Sequence, residues 1–204
     1  LKDGYYQIEN ANHLFWFAQQ VNSGDVNINA VLTADIVINE NILNADGTLN
    51  TALTGLIEWT PIGNDLNKYT GTFDGNNHTI SGLYFNDESA SFVGLFGYNS
   101  SGTIKNIGVI DSYFSGKHYV GGICGHNYGK IKNSYNTGSV SGEQNVGGIC
   151  GDNDNNGTIE SSYNIGLVNG KYYVSGVCGY NNGTIQNSYN TGSVNGVYYS
   201  VGGV

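Results

Sequence analysis

The chain has 204 residues, 39% of them hydrophobic, which is enough apolar sequence for one sizeable core. Its 32 Gly and 16 Tyr, with one Pro and no Met, favour tight turns joined by short strands and leave little room for long helices. With a net charge of −9, only seven basic residues and no apolar run of 18 residues, neither a nucleic acid partner nor membrane insertion is expected.

Residues 1–58 predict a small α/β cap. Tyr5 to Ile8 alternates like a strand, and Asn10 is placed to cap a helix from Ala11 to about Val21. Ala30 to Ile38 then follows the pattern of a buried strand. Because an uncovered solenoid end would expose strand edges and core, we expect this strand, helix, strand segment to cover the first coil.

Residues 59–204 are repetitive. The copies are Val120–Gly125, Val146–Gly151, Val174–Gly179 and the incomplete Val201–Val204, with a less regular one at Phe92–Gly97. A period of about 27 residues is typical of a solenoid, whose units bury their apolar faces only by stacking. Since the last copy stops in mid-strand, further domains of the same chain are expected.

One repeat, residues 120–145, resolves into three short extended pieces. They are Val120–Cys124, Lys130–Tyr135 and Gly138–Val140, and we expect turns at 125–129, 136–137 and 141–145 between them. Such pieces predict an all-β fold, a right-handed parallel β-helix in which each strand pairs with its equivalent one coil away. The core ladders would then be Ile123, Ile149 and Val177; Ile131, Ile159 and Ile185; and Val140, Val168 and Val194.

Three further registers are interpreted as structural. Cys124, Cys150 and Cys178 would form a ladder of buried, reduced thiols, although a disulfide between neighbours stays open on Cα distance. Stacked tyrosines and a row of turn residues at bends complete the set, namely Tyr135, Tyr163 and Tyr189, and Asn133, Ser161 and Asn187.

The repeats resemble the GLUG motif, named for a Gly-Leu-any-Gly core. Gly94-Leu95-Phe96-Gly97 spells that core, and later copies such as Gly122-Ile123-Cys124-Gly125 vary it. The resemblance covers residues 59–204. It implies a large secreted or surface-attached bacterial protein, either adhesin-like or a non-catalytic part of a metalloprotease that cuts immunoglobulin A, and hence an extracellular location.

Catalysis is not expected. The protease chemistry needs an HExxH helix, which the sequence lacks. A β-helical carbohydrate-active enzyme is the third alternative for function, but a hydrolase needs two facing carboxylates. No two acids of the regular coils recur in one register; they are Asp111, Glu143, Asp152, Asp154 and Glu160.

The turn Asp152 to Gly157 resembles the first half of a calcium loop. Asp152, Asp154 and Asn156 place oxygen ligands at alternate positions. Tyr163 stands where the loop's final Glu is expected, and a two-residue insertion in a polar turn explains the sequence without metal. No cofactor is therefore predicted, and calcium is kept as the alternative.

The corner that precedes each Val-Gly-Gly strand is the favoured contact surface. Stacking would align its aromatic and basic side chains into a stripe broken once, at Asn145, and exposed Tyr gives flat contact area for sugars or proteins. We define the variable corner as His118, Tyr119, Lys171, Tyr172, Tyr173, Tyr198 and Tyr199. The first hypothesis is a module that binds a glycan or protein of a host or neighbouring cell there, and the second is a purely structural stalk.

Overall fold

A computed structural model describes residues 1–204, and it is built from short strands and one helix. In chain order the first elements are β1 (Tyr5–Ile8), α1 (Ala11–Asn22), β2 (Asn29–Leu32), β3 (Ile36–Val37), β4 (Thr72–Asp74), β5 (Thr79–Ser81), β6 (Tyr84–Asn86), β7 (Ser91–Val93), β8 (Phe96–Asn99), β9 (Thr103–Lys105), β10 (Gly108–Ile110) and β11 (Tyr113–Ser115). The later strands are β12 (His118–Gly121), β13 (Cys124–Asn127), β14 (Lys130–Lys132), β15 (Tyr135–Asn136), β16 (Ser139–Gly147), β17 (Cys150–Asn153), β18 (Thr158–Glu160), β19 (Tyr163–Asn164), β20 (Val168–Ser175), β21 (Cys178–Asn181), β22 (Thr184–Gln186), β23 (Tyr189–Asn190), β24 (Val194–Gly196) and β25 (Val201–Gly202).

The strands form a parallel β-helix, as the period predicts. A seven-stranded sheet has the order β1-β2-β4-β9-β14-β18-β22, so the chain passes this face seven times. Each strand pairs with its equivalent in the next coil, as Ile131 does with Ile159 and Ile159 with Ile185. The predicted ladders of Ile123 and Val140 also form, and their central members, Ile149 and Val168, are fully buried.

The helix is α1, and it matches the prediction closely. The Asn10 side chain accepts a hydrogen bond from the His13 N–H at the N-cap, and Leu14, Phe17, Ala18 and Val21 form the buried face. This face packs into the same core cluster as the coils. The helix lacks the length and apolarity needed to cross a bilayer.

Several predicted boundaries are wrong. The predicted piece Val120–Cys124 covers the end of β12 and the start of β13, and Lys130–Tyr135 is divided between β14 and β15, which belong to different sheets. Ala30–Ile38 is two strands, β2 and β3, separated by a bend. The predicted turn at 125–129 begins as β13, because residues 124–127 pair with both neighbouring coils. The predicted turn at 141–145 lies within β16, where Asn145 adopts a left-handed conformation without interrupting the pairing.

Two ladders of asparagines, buried except for the last member of each, run along the axis and join the coils at the bends. In the Asn127 ladder (Asn99, Asn127, Asn153, Asn181) each amide N–H donates to the next side-chain oxygen, over 2.7–2.8 Å. The Asn136 ladder (Asn136, Asn164, Asn190) repeats this over 2.8–2.9 Å. Each of these amides, except the last in its ladder, thus joins two coils while it also bonds the local backbone.

Candidate functional site

One corner of the coil brings two side chains of the same repeat together. Its first residue has a left-handed backbone in every coil, with φ between +51° and +64° at Phe92, Tyr119, Asn145, Tyr173 and Ser200. This conformation is unusual for aromatic residues and costs about 1–3 kcal/mol. The corner is therefore a place where the chain holds strained residues in register.

A glycine in the next strand lets this corner close. A Cβ on Gly125 would lie 2.7 Å from the Tyr119 carbonyl oxygen, and one on Gly151 would lie 2.5 Å from the Val120 nitrogen. Because the backbones approach so closely, the left-handed residue lies beside the residue after the glycine. The resulting pairs are Phe92 with Tyr98, Tyr119 with His126, Asn145 with Asp152, and Tyr173 with Tyr180.

Three of these four pairs are aromatic, and the exception is polar. The Tyr119 and His126 rings stack at 5.2 Å and 10°, and Phe92 stacks on Tyr119 at 5.1 Å and 5°. In the next coil the Asn145 Nδ2 donates to Asp152 Oδ2 over 2.9 Å instead. The aromatic stack is thus interrupted by a buried amide and carboxylate.

The lengthened turn adds a second carboxylate to the same place. Asp154 takes the register of Tyr128, because its N–H bonds the Asn127 carbonyl just as the Tyr128 N–H bonds that of Asn99. His126 Nε2 then lies 3.9 Å from Asp152 Oδ1 and 3.7 Å from Asp154 Oδ2. We call His126, Asn145, Asp152 and Asp154 the His126 cluster.

The electrostatics of the His126 cluster are set mainly by burial. Burial raises the pKa of the Asp152 carboxyl to about 6, although Asn145 opposes this shift. Burial also lowers the pKa of His126, against the attraction of Asp154. The Tyr128 hydroxyl lowers the pKa of Asp154, which is more exposed. Burial therefore disfavours the charged forms of both His126 and Asp152, whereas the Tyr128 hydroxyl favours the charged form of Asp154.

The residues of the variable corner divide into two groups. Tyr119 belongs to the aromatic stack above the His126 cluster, whereas Tyr172 stacks on Tyr198 at 4.9 Å and on Tyr199 at 6.2 Å. His118 and Tyr172 share one register on either side of Gln144. The stripe is therefore continuous in register but mixed in chemistry.

A shallow polar groove of about 170 Å³ lies beside this stripe. Its lining includes Glu88, Ser115, Ser141, Glu143 and Lys171, and the Lys171 amine lies 3.4 Å from a Glu143 carboxylate oxygen. The groove is smaller than the roughly 300–1,000 Å³ typical of small-molecule sites. It is suited to be one contact on an extended surface.

Sequence reasoning did not identify His126. The metal alternative named Asp152, Asp154 and Asn156, and the structure places the first two beside His126, while Asn156 lies exposed in the turn. An alignment of the coils by their glycines would have identified His126, because His126 and Asp152 both follow a Cys-Gly pair and lie opposite each other in register. Whether the variable corner and the calcium-type residues bind ligands stays a prediction.

The fold and its corner define a class of protein, the parallel β-helix built from short repeats. The chain is similar in structure to a Bacteroides ovatus protein named as an immunoglobulin A1 protease, with a TM-score of 0.59 over 99% of this chain and 85% of that one. Because the identity is 16%, this likeness shows the fold alone.

The repeat type is that of the GLUG motif, whose family model matches residues 116–141. A protein of Evansella cellulosilytica named as a Gly-rich membrane protein is 33% identical over 79 residues, which are 37% of this chain and 9% of the relative. Halomucin of Haloquadratum walsbyi is 32% identical over 114 residues, 54% of this chain and 1% of its own length. The chain therefore contains a GLUG motif, as the sequence predicts, and matches small parts of long relatives.

Proposed function

We propose that this chain is a non-catalytic module of a bacterial surface or secreted protein, and that its variable corner binds a glycan or a protein of another cell. The GLUG motif and the relative named as a membrane protein support a surface module. Cell adhesion is the role we infer for it.

The observation that carries the binding role is the combination of the groove with exposed aromatic side chains. Tyr198 and Tyr199 are 60% and 70% exposed, and the groove brings Ser hydroxyls, two carboxylates and the Lys171 amine next to the stripe. Stacked tyrosine rings present their edges and hydroxyls to solvent, and such groups bind sugars or proteins with little loss of side-chain entropy. A shallow groove of this kind favours a long ligand over a small molecule.

The arrangement of Asp152 and Asp154 supports a non-catalytic role for that part of the corner. Asp152 and Asp154 lie close together, and both face the His126 imidazole, on which aromatic rings pack. A glycosidase instead presents two carboxylates on opposite sides of an open substrate cleft. Turnover of any polysaccharide by the purified protein would contradict this part of the proposal.

A printed array of glycans and purified extracellular proteins tests the binding role. We expect a ligand that the Tyr172→Ala/Tyr198→Ala variant binds about tenfold more weakly, since exposed aromatic contacts are frequent hot spots. Tyr189→Ala is the matched control, because Tyr189 is 51% exposed but belongs to another sheet. Binding that is unchanged in the double variant would refute the assignment of the surface.

The stalk is the second candidate, and the asparagine ladders favour it. They link consecutive coils through buried amides and explain much of the repeat without any ligand. A stalk predicts that nothing on the array binds, and that the wild-type protein and the double variant resist protease equally.

A further inference from the structure

The His126 cluster holds buried polar atoms that have no hydrogen-bond partner. They are both ring nitrogens of His126, Asn145 Oδ1 and Asp152 Oδ1. Asp152 and Asn145 are only 7% and 6% exposed. An unpartnered buried polar group costs about 1–3 kcal/mol, so such a concentration of them in one corner requires a physical cause.

Direct contacts within the cluster do not supply that cause. The separations of 3.7 and 3.9 Å from His126 Nε2 to the carboxylate oxygens are too long for hydrogen bonds. One ligand atom from each of His126, Asp152 and Asp154 lies within 4.8 Å of the other two. Ligands at about 2.1 Å from a tetrahedral metal lie about 3.4 Å apart. Small side-chain movements would therefore bring the three atoms around one ion.

We propose that His126 Nε2, Asp152 Oδ1 and Asp154 Oδ2 bind a divalent transition-metal ion of the Zn²⁺ type. An imidazole with carboxylates suits Zn²⁺ and related ions, whereas Ca²⁺ sites are built from oxygen ligands alone. Because of this histidine, a segment that resembles a calcium loop in sequence would bind a different class of metal.

The surroundings of the three ligands fit this role. Asn145 Nδ2 bonds Asp152 Oδ2 and so leaves Oδ1 directed towards His126. Such outer hydrogen bonds orient metal ligands. The rings of Tyr119, Tyr98 and Tyr128 pack within 5.2 Å of the imidazole and limit its rotation.

The site would join two coils at the point where the aromatic stack is interrupted. His126 comes from β13, and both carboxylates come from β17 and the turn after it. The two-residue extension of that turn distinguishes this coil from its neighbours. The metal would connect the two coils at the place where Asn145 and Asp152 interrupt the aromatic stacking.

Titration calorimetry of the tag-free protein with ZnCl₂, and Co²⁺ absorption spectra, test the proposal. We expect one Zn²⁺ per chain, Co²⁺ bands of low-coordinate geometry, and a thermal midpoint that rises with Zn²⁺ and falls with a chelator. His126→Ala and Asp154→Asn should each weaken Zn²⁺ binding more than about 100-fold, beyond the typical effect of losing an outer-sphere partner. Circular dichroism verifies that both variants fold.

His78→Ala is the matched control. His78 Nδ1 also faces a carboxylate, at 3.2 Å from Asp35 Oδ1, but that pair is exposed and has no third ligand. Its removal should leave Zn²⁺ affinity unchanged. The proposal is overturned if Zn²⁺ does not bind, if Ca²⁺ binds in preference, or if folded Asp154→Asn binds Zn²⁺ as the wild type does.

Discussion

The Asn127 ladder provides the sharpest test of what stabilises the coils. Asn127 is fully buried, and its side chain takes part in four hydrogen bonds. Its Nδ2 donates to Asn153 Oδ1 over 2.8 Å and to the Gly129 carbonyl over 3.2 Å. Its Oδ1 accepts from Asn99 Nδ2 over 2.8 Å and from the Gly129 N–H over 3.2 Å.

Asn127→Ala removes all four bonds and leaves their partners buried. A hydrogen bond contributes about 1 kcal/mol net, and an orphaned buried partner adds to the loss. We therefore expect the free energy of unfolding to fall by about 3–5 kcal/mol, a large part of the roughly 5–15 kcal/mol of a typical domain. Urea unfolding followed by circular dichroism measures this change.

Asn195→Ala is the control, since the Asn195 Nδ2 donates to Asn169 Oδ1 over 2.9 Å in an equivalent but exposed amide pair. Surface substitutions usually change stability by less than about 0.5 kcal/mol. If Asn127→Ala proves no more destabilising than Asn195→Ala, the buried ladder does not hold the coils together and the reasoning fails.

Three further predictions concern the repeat positions. Gly125→Ala should destabilise the protein by about 3 kcal/mol, because its Cβ would meet two backbone atoms at 2.7 Å. Gly203→Ala, in open space, should be neutral, and similar urea midpoints for the two variants would argue against a tight corner. Ser161→Asn should stabilise by about 0.5–1 kcal/mol, because Ser161 is exposed at φ +50° and Asn tolerates this conformation; a lower thermal midpoint would contradict this. The thiols of Cys124, Cys150 and Cys178 are free and buried, so Ellman's reagent should label them only in denaturant, and rapid labelling of the native protein would show that they are accessible.

The apolar repeat could be predicted from the sequence because its period determines which residues stack on each other. Ile131, Ile159 and Ile185 lie one coil apart, and a parallel solenoid permits only one register for them. The helix could also be predicted, since the N-cap residue Asn10 and the helical spacing of Leu14, Phe17 and Val21 indicate the same element. The ends of the strands could not be predicted as well, because pairing with neighbouring coils extends β13 and β16 through residues that favour turns.

The asparagine ladders were missed because Asn is usually exposed. The sequence interpretation placed the asparagine row at Asn133, whose exposed side chain bonds only that of Asn106. A signal was nonetheless present, since an Asn followed two residues later by Gly recurs at Asn127, Asn136 and Asn164. The glycine backbone bonds the amide in each case.

The His126 cluster was missed for a different reason. Metal motifs are usually sought along the chain, but here the ligands come from adjacent coils 26 and 28 residues apart, His126 with Asp152 and Asp154. Only a coil-by-coil alignment places them together. The residues that break the repeat, and not those that keep it, are therefore where we look for a ligand.

Anomalous diffraction at the zinc edge, from crystals grown with Zn²⁺, tests this central claim most directly. The account predicts one strong peak between His126, Asp152 and Asp154, at about 2.0–2.2 Å from each ligand atom. The competing donors are the repeated thiols, whose Sγ atoms instead donate to carbonyl oxygens, as Cys150 does to Asp152. A peak at the cysteine ladder, with none at the His126 cluster, would contradict the division between a structural repeat and a functional interruption.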